Sequence, residues 1–243
     1  MTAAGSGPGP VDHGAALRTE GDRLVTAVRG ADLDARVPGL DWDVRTVATH
    51  TGAVHRWAAD VVRRRLPTNE TGGSTAFWPD GLDDADLAGW LADGVAELVR
   101  TLADAPADLA CFTFVGGVAP RTFWRRRQAH ETAVHRADVE ATGPEGVTPL
   151  AAAFAQDGLA ELVGAFATEA GFAASRPGVL LLCPDDGPAD NAGAFSERCC
   201  RHYVQPPLAS LSRCRCTASA RPAATRLAAV WPPKPDRGWL RNQ

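Results

Sequence analysis

The chain has 243 residues, 45% of them hydrophobic, and a formal net charge of −4. That length can bury a real core as one large domain or two small ones, and no apolar run approaches the ~20 residues a membrane-spanning helix needs. Residues 1–170 hold 24 acidic against 15 basic residues, which argues against nucleic-acid binding, whereas residues 171–243 hold 5 acidic against 10 basic.

Residues 1–12 read as a flexible lead-in. The first ten have neither a basic start nor an apolar core, so no signal peptide is expected and a cytoplasmic location follows. A first helix is predicted from His13 to about Arg29, with Leu17, Leu24 and Val28 on one face. A second opens at Asp43 as N-cap and runs to about Arg65, before Pro67. The polar, glycine-rich loop 68–80 follows. A third helix opens at Asp83-Asp84, where acids suit the helix dipole, buries Leu87, Leu91, Val95, Leu98 and Leu102, and stops before Pro106. A fourth begins near Pro120, a favoured first helical residue, and ends before Gly143-Pro144. Four amphipathic helices of this length predict a helix bundle over 13–145.

Residues 145–149 are a candidate linker. A fifth helix is predicted from about Leu150 to Ala170, then a strand at Val179–Leu182, a turn at Asp185–Pro188 and a helix at Ala223–Trp231. Residues 150–243 are therefore expected to form a small α/β domain, which makes the whole chain α+β. Arg, Cys, Pro and Ser rise abruptly over 196–217. This segment reads as degenerate, or as translation of a shifted reading frame. The single lysine, Lys234, against 24 arginines fits a high-GC genome.

The stretch Gln128-Ala-His130-Glu131-Thr-Ala-Val-His135-Arg-Ala-Asp138-Val-Glu140 carries the chemistry. Glu131 and His135 stand four residues apart, so on a helix they share one face about 6 Å apart at Cβ. Such a pair occurs by chance in many helices. Here Trp124, Arg127 and Asp138 fall on the same face, and buried charge must be paired or bound to metal. His50, on the second helix, supplies a third ligand. A His₂Glu set with an open fourth position is a catalytic zinc arrangement rather than a closed structural one, and the open position lets the metal activate water or a thiol.

Asp138 is placed to accept the free N–H of a ligating His135. Arg127 is placed to steady Glu131 or to hold an anionic substrate, and at least one of Arg125–Arg127 is expected on a solvated face. His55 lies about 140° around the helix from His50, which excludes it from the site and leaves surface or packing. His130 is a fallback ligand. His13 and His202 have no helpful neighbours.

Cys111 stands alone, and Cys183, Cys199, Cys200, Cys214 and Cys216 crowd the last third. Without a secretion signal a disulfide framework is not expected. Cys-Cys and Cys-x-Cys spacings fit a structural zinc site poorly. No redox Cys-x-x-Cys, phosphate-binding glycine loop or nucleophile elbow is present.

Trp42-Asp43-Val-Arg-Thr-Val-Ala-Thr-His50, Val54-His55-Arg56-Trp57 and His130-Glu131-Thr-Ala-Val-His135-Arg-Ala-Asp138-Val-Glu140 give the chain its resemblance to the mycothiol-dependent maleylpyruvate isomerase family. That family's N-terminal domain is a DinB-like helix bundle, and the resemblance covers about residues 12–145. Ala152–Phe166, Asp185–Phe195 and Arg221–Trp231 suggest its C-terminal domain, and 196–217 depart from it. The resemblance implies a divalent metal, zinc, on His50, Glu131 and His135, with mycothiol as thiol co-substrate. Glu131 and Arg127 are then the candidates for catalysis, and Arg127 and Trp57 for holding the thiol. The type reaction is cis–trans isomerisation of maleylpyruvate by thiolate addition, bond rotation and release. An isomerase or thiol transferase acting on a small electrophile is the implied function. The expected protein is a monomer or small homo-oligomer that binds neither nucleic acid nor membrane. A non-catalytic metal- or thiol-binding protein with a degenerate second domain is the alternative, and a face that merely packs a buried charge network is a third.

Overall fold

In the computed structural model, residues 11–162 are described. They form α1 (His13–Gly30), α2 (Val44–Arg64), a short 3₁₀ turn (Ser74–Phe77), α3 (Asp84–Asp104), α4 (Pro120–Glu140) and α5 (Ala152–Glu161). Among the described residues the only β pairing is an isolated bridge between Arg36 and Asp43. No helix among them is long and apolar enough to cross a membrane. The chain divides into two compact units, with α1–α4 in the first, up to Pro149, and α5 in the second. The lead-in 1–10, the fifth helix beyond Leu162, the strand 179–182, the turn 185–188, the segment 196–217, the helix 223–231, the basic tail, His202 and all cysteines except Cys111 lie outside the described residues.

Local chemistry explains where the helices start. Asp12 caps α1 by accepting from the Gly14 and Ala15 amides at 3.0 and 3.1 Å. Asp43 caps α2 by accepting from Thr46 N at 2.8 Å, and Pro120 occupies the first turn of α4. α2 ends where expected, at Arg64 with Arg65 as its cap. Arg65 takes the left-handed conformation (φ 51°), its amide donates to Val62 O, and Leu66 N donates to Val61 O. This is a Schellman closure with arginine where glycine is usual. Its local strain is opposed by the burial of Leu66.

The predicted apolar faces turn inward. Leu17, Leu24 and Val28 of α1 and Leu87, Leu91, Val95, Leu98 and Leu102 of α3 are buried, together with Val44, Val47 and Val61 of α2. α1 packs on α4 and α3, and α2 packs on α3 and α4. α3 and α4 scarcely touch, so they lie diagonally across the bundle. This arrangement sets α2 beside α4. Glycine permits the close approach of α2 and α3: a Cβ on Gly52 would lie 2.2 Å from the Trp90 ring, and Arg56 stacks over that ring at 3.9 Å.

α4 carries the most charge in its interior and is nonetheless buried along most of its length. Its buried charges are paired with opposite charges, Arg136 above all. Arg136 is fully buried. It donates to Glu20 of α1 at 2.8 Å, to Glu140 at 2.6 Å and to the Thr148 carbonyl at 2.7 Å. Glu140 in turn accepts from Thr148 N at 2.7 Å, which pins the segment leaving α4.

Candidate metal centre

Because α2 and α4 are neighbours, His50 meets the Glu131/His135 pair. His50 Nε2 lies 3.3 Å from Glu131 Oε1. His135 Nε2 lies 3.1 Å from the same oxygen. One ligand atom from each residue falls within 4.8 Å of the others, so the three donors converge on one point. Side-chain exposure falls from 22% at His50 through 11% at Glu131 to 4% at His135, so the cluster opens on the His50 side.

Partners around the cluster set its orientation. Asp138 Oδ2 accepts from His135 Nδ1 at 2.9 Å, within α4 at spacing three. This turns Nε2 toward Glu131. Arg127 Nη2 donates to Glu131 Oε2 at 3.1 Å, which leaves Oε1 to the two histidines. Burial opposes ionisation of Glu131. The hydrogen bonds from His135 and His50 and the Arg127 charge outweigh it and hold the carboxyl well below the usual range. Burial likewise opposes a charged His135, but the bonds to Asp138 and Glu131 raise its pKa to about 9.

Trp42 and Thr132 complete the surroundings without having stood out in the sequence. The Trp42 ring lies 4.9 Å from His50 and 6.0 Å from His135, centroid to centroid, nearly parallel to the latter. The backbone holds it there: Trp42 O accepts from Val37 N, and Val44 N donates to Ala35 O across the Arg36–Asp43 bridge. The available signal was its place just before the Asp43 cap, where an apolar residue folds back on the helix as a hydrophobic staple.

Other residues find their places. Of the two readings left for His55, surface or packing, the structure gives packing. His55 is fully buried and Nε2 meets Thr132 Oγ1 of α4 at 2.9 Å. His13 does have a neighbour, because its ring packs edge-on against His130 at 5.7 Å. Arg125 and Arg126 are half-buried and Arg127 is buried, so none of the three stands on a fully solvated face. Arg125 donates to Leu102 O at 3.1 and 2.8 Å, closing the C-terminus of α3. Trp57 donates from its indole to Asn69 Oδ1 at 3.2 Å and sits among Phe114 and Trp124. The indole in ring contact with the two histidines is that of Trp42. Burial pushes the half-buried Cys111 thiol up, away from thiolate character.

No curated protein and no solved structure matches this sequence. Residues 15–140, just over half of the chain and the whole span that carries the cluster, match the family described as mycothiol maleylpyruvate isomerase N-terminal domain. The chain belongs to that family.

Proposed function

We propose that this protein is a divalent-metal-dependent enzyme, with zinc on His50, Glu131 and His135. It would use mycothiol to add a thiolate to a small electrophile in an isomerisation or thiol transfer in the cytoplasm. The observation that carries the reading is the convergence of three donors of two chemical kinds, from α2 and α4, on one point. Two imidazoles and a carboxylate are a catalytic zinc set with room for a fourth ligand. A bound zinc supplies the positive charge that keeps a thiol as thiolate at neutral pH.

The chain's own residues prepare that position. Glu131 is ionised and anchored through Oε2 by Arg127, so its other oxygen stays turned to the histidines. Asp138 fixes the His135 ring. The Trp42 indole covers the histidines and limits water at the opening. Arg127 remains the candidate to hold an anionic group, since a guanidinium binds carboxylates through a planar fork. Trp57 and its aromatic neighbours are a candidate surface for the thiol's carbon frame.

The test begins with metal content. Purified full-length protein should hold about one zinc per chain, and turnover of an electrophilic substrate such as maleylpyruvate should require both zinc and mycothiol. Zinc without thiol-dependent turnover on any electrophile would leave a binding protein, and absence of stoichiometric metal would defeat the reading altogether.

Metal uptake should also depend on pH with a definite sign. Below about pH 9 the metal must displace a proton from His135. Apparent affinity should therefore rise about tenfold per pH unit from 6 to 8.5, with release of about one proton. Calorimetry in buffers of different ionisation enthalpy measures that proton, and a flat profile would contradict it. In the metal-stripped protein the sign for stability is opposite. The raised His135 pKa stabilises the fold fully below about pH 6.5, and this contribution is lost as pH rises through 9.

A further inference from the structure

We propose that the His55–Thr132 pair is a positioning element of the metal centre, locking α2 against α4 so that His50 and Glu131 stay in register. The inference rests on the metal-site reading above. Thr132 directly follows Glu131, and His55 lies just over one helical turn beyond His50. The two contacts His50–Glu131 and His55–Thr132 thus bridge the same two helices side by side.

The proton arrangement of the pair is determined by its neighbours. Thr132 Oγ1 donates to Gln128 O at 2.7 Å within α4, so at its other side it accepts from His55 Nε2–H. Among the described residues, His55 Nδ1 has no hydrogen-bond partner. An imidazole that makes one hydrogen bond and leaves one acceptor unpaired is a costly way to fill a fully buried site. Apolar groups of the same shape in place of both partners can be nearly neutral or stabilising. What the polar pair adds is direction, because apolar side chains tolerate small slides and rotations that a 2.9 Å hydrogen bond does not. Trp57 of α2 also meets Trp124 of α4 edge-on at 5.3 Å, a ring contact that is less directional than the hydrogen bond.

The electrostatics agree with this role. Burial drives the His55 pKa down to about 3, against the opposing pull of the Glu131 charge. The imidazole is therefore neutral at working pH. It can hold the register without placing a second positive charge beside a cation site.

The test separates register from stability. Zinc affinity by chelator competition and thermal unfolding are measured on wild type, Thr132→Ser, Thr132→Val, His55→Leu and the double variant His55→Leu/Thr132→Val. Thr132→Ser keeps the acceptor and should stay near wild type in both. Thr132→Val and His55→Leu should each weaken zinc by about 10-fold or more, within the range seen when outer partners of a metal site are removed. Thr132→Val should also lose stability, because it strands a buried N–H. The double variant leaves neither partner stranded and should recover stability but not affinity. It decides the matter even if Thr132→Val fails to fold. Wild-type affinity in the double variant would overturn the proposal and make the pair ordinary core. If wild type itself binds no zinc, the metal-site reading fails and this inference falls with it, an outcome distinct from intact binding that the variants leave unmoved.

Discussion

His135→Ala is expected to strip the protein of zinc, with at least about a 100-fold loss of affinity. Removing an outer partner of a ligand costs 10–100-fold, and His135 is proposed as a ligand itself. It is also the most enclosed of the three, at 4% side-chain exposure, so no solvent-borne group replaces it easily. Asp138→Asn provides the graded comparison. It keeps the shape but removes the carboxylate that accepts from His135 Nδ1. The loss should be smaller, about 10–100-fold. Metal content after dialysis and competition titration measure both. Circular dichroism checks that the bundle persists, since the substitution also frees Glu131 and Asp138 from a partner. Full zinc content in folded His135→Ala would remove the residue from the ligand set, and equal losses for both variants would mean that Asp138 acts as more than an orienting group.

Arg136→Leu is expected to cause the largest loss of stability in the bundle, about 3–5 kcal/mol, the range for breaking a buried ion pair by removing one member. Arg136 is fully buried, and its guanidinium joins Glu20 of α1, Glu140 of α4 and the Thr148 carbonyl. Among the described residues Glu20 would keep only Arg23, a half-exposed partner at 3.0 Å. That contact is solvent-screened and weak. The midpoint of thermal unfolding should fall by roughly 10 °C or more. Adding Glu20→Leu should recover part of the loss, because the uncompensated carboxylate goes too. Zinc content at low temperature should stay intact, since Arg136 touches none of the three donors. A loss below about 1 kcal/mol would show that water reaches the carboxylates once the arginine is gone.

These two substitutions lie one residue apart, at 135 and 136, yet one is expected to act on metal and the other on folding. Successive helical positions differ by about 100° in direction. On α4, position 135 faces Glu131 and His50 of α2, whereas position 136 faces α1. The i, i+4 spacing of Glu131 and His135 was legible in the chain for the same reason: helical period alone puts both on one face. The Asp43 cap, the Pro120 start and the inward faces of α1 and α3 were legible too. Each depends on residues within a turn or two of one another, and local backbone chemistry is enough to specify them.

What the chain alone could not reveal depends on which helices touch. α2 flanks α4 while α3 and α4 lie diagonal, and helical periodicity carries no information about that order. His55 shows the consequence. Its angle from His50 turns it to another side of α2, but whether that side meets solvent or Thr132 depends on the helix beside it. Trp42 and Trp57 show it again. Both are tryptophans that flank His50 in the sequence, and the backbone bridge at Arg36–Asp43 put the first against the histidines. The sequence by itself determined the helices, their caps, their apolar faces and the Glu131/His135 pair, because these are set by interactions over a few residues. The tertiary structure alone decided the meeting of His50 with that pair, the indole over it and the buried His55–Thr132 lock, because each joins residues whose proximity exists only after the helices have packed.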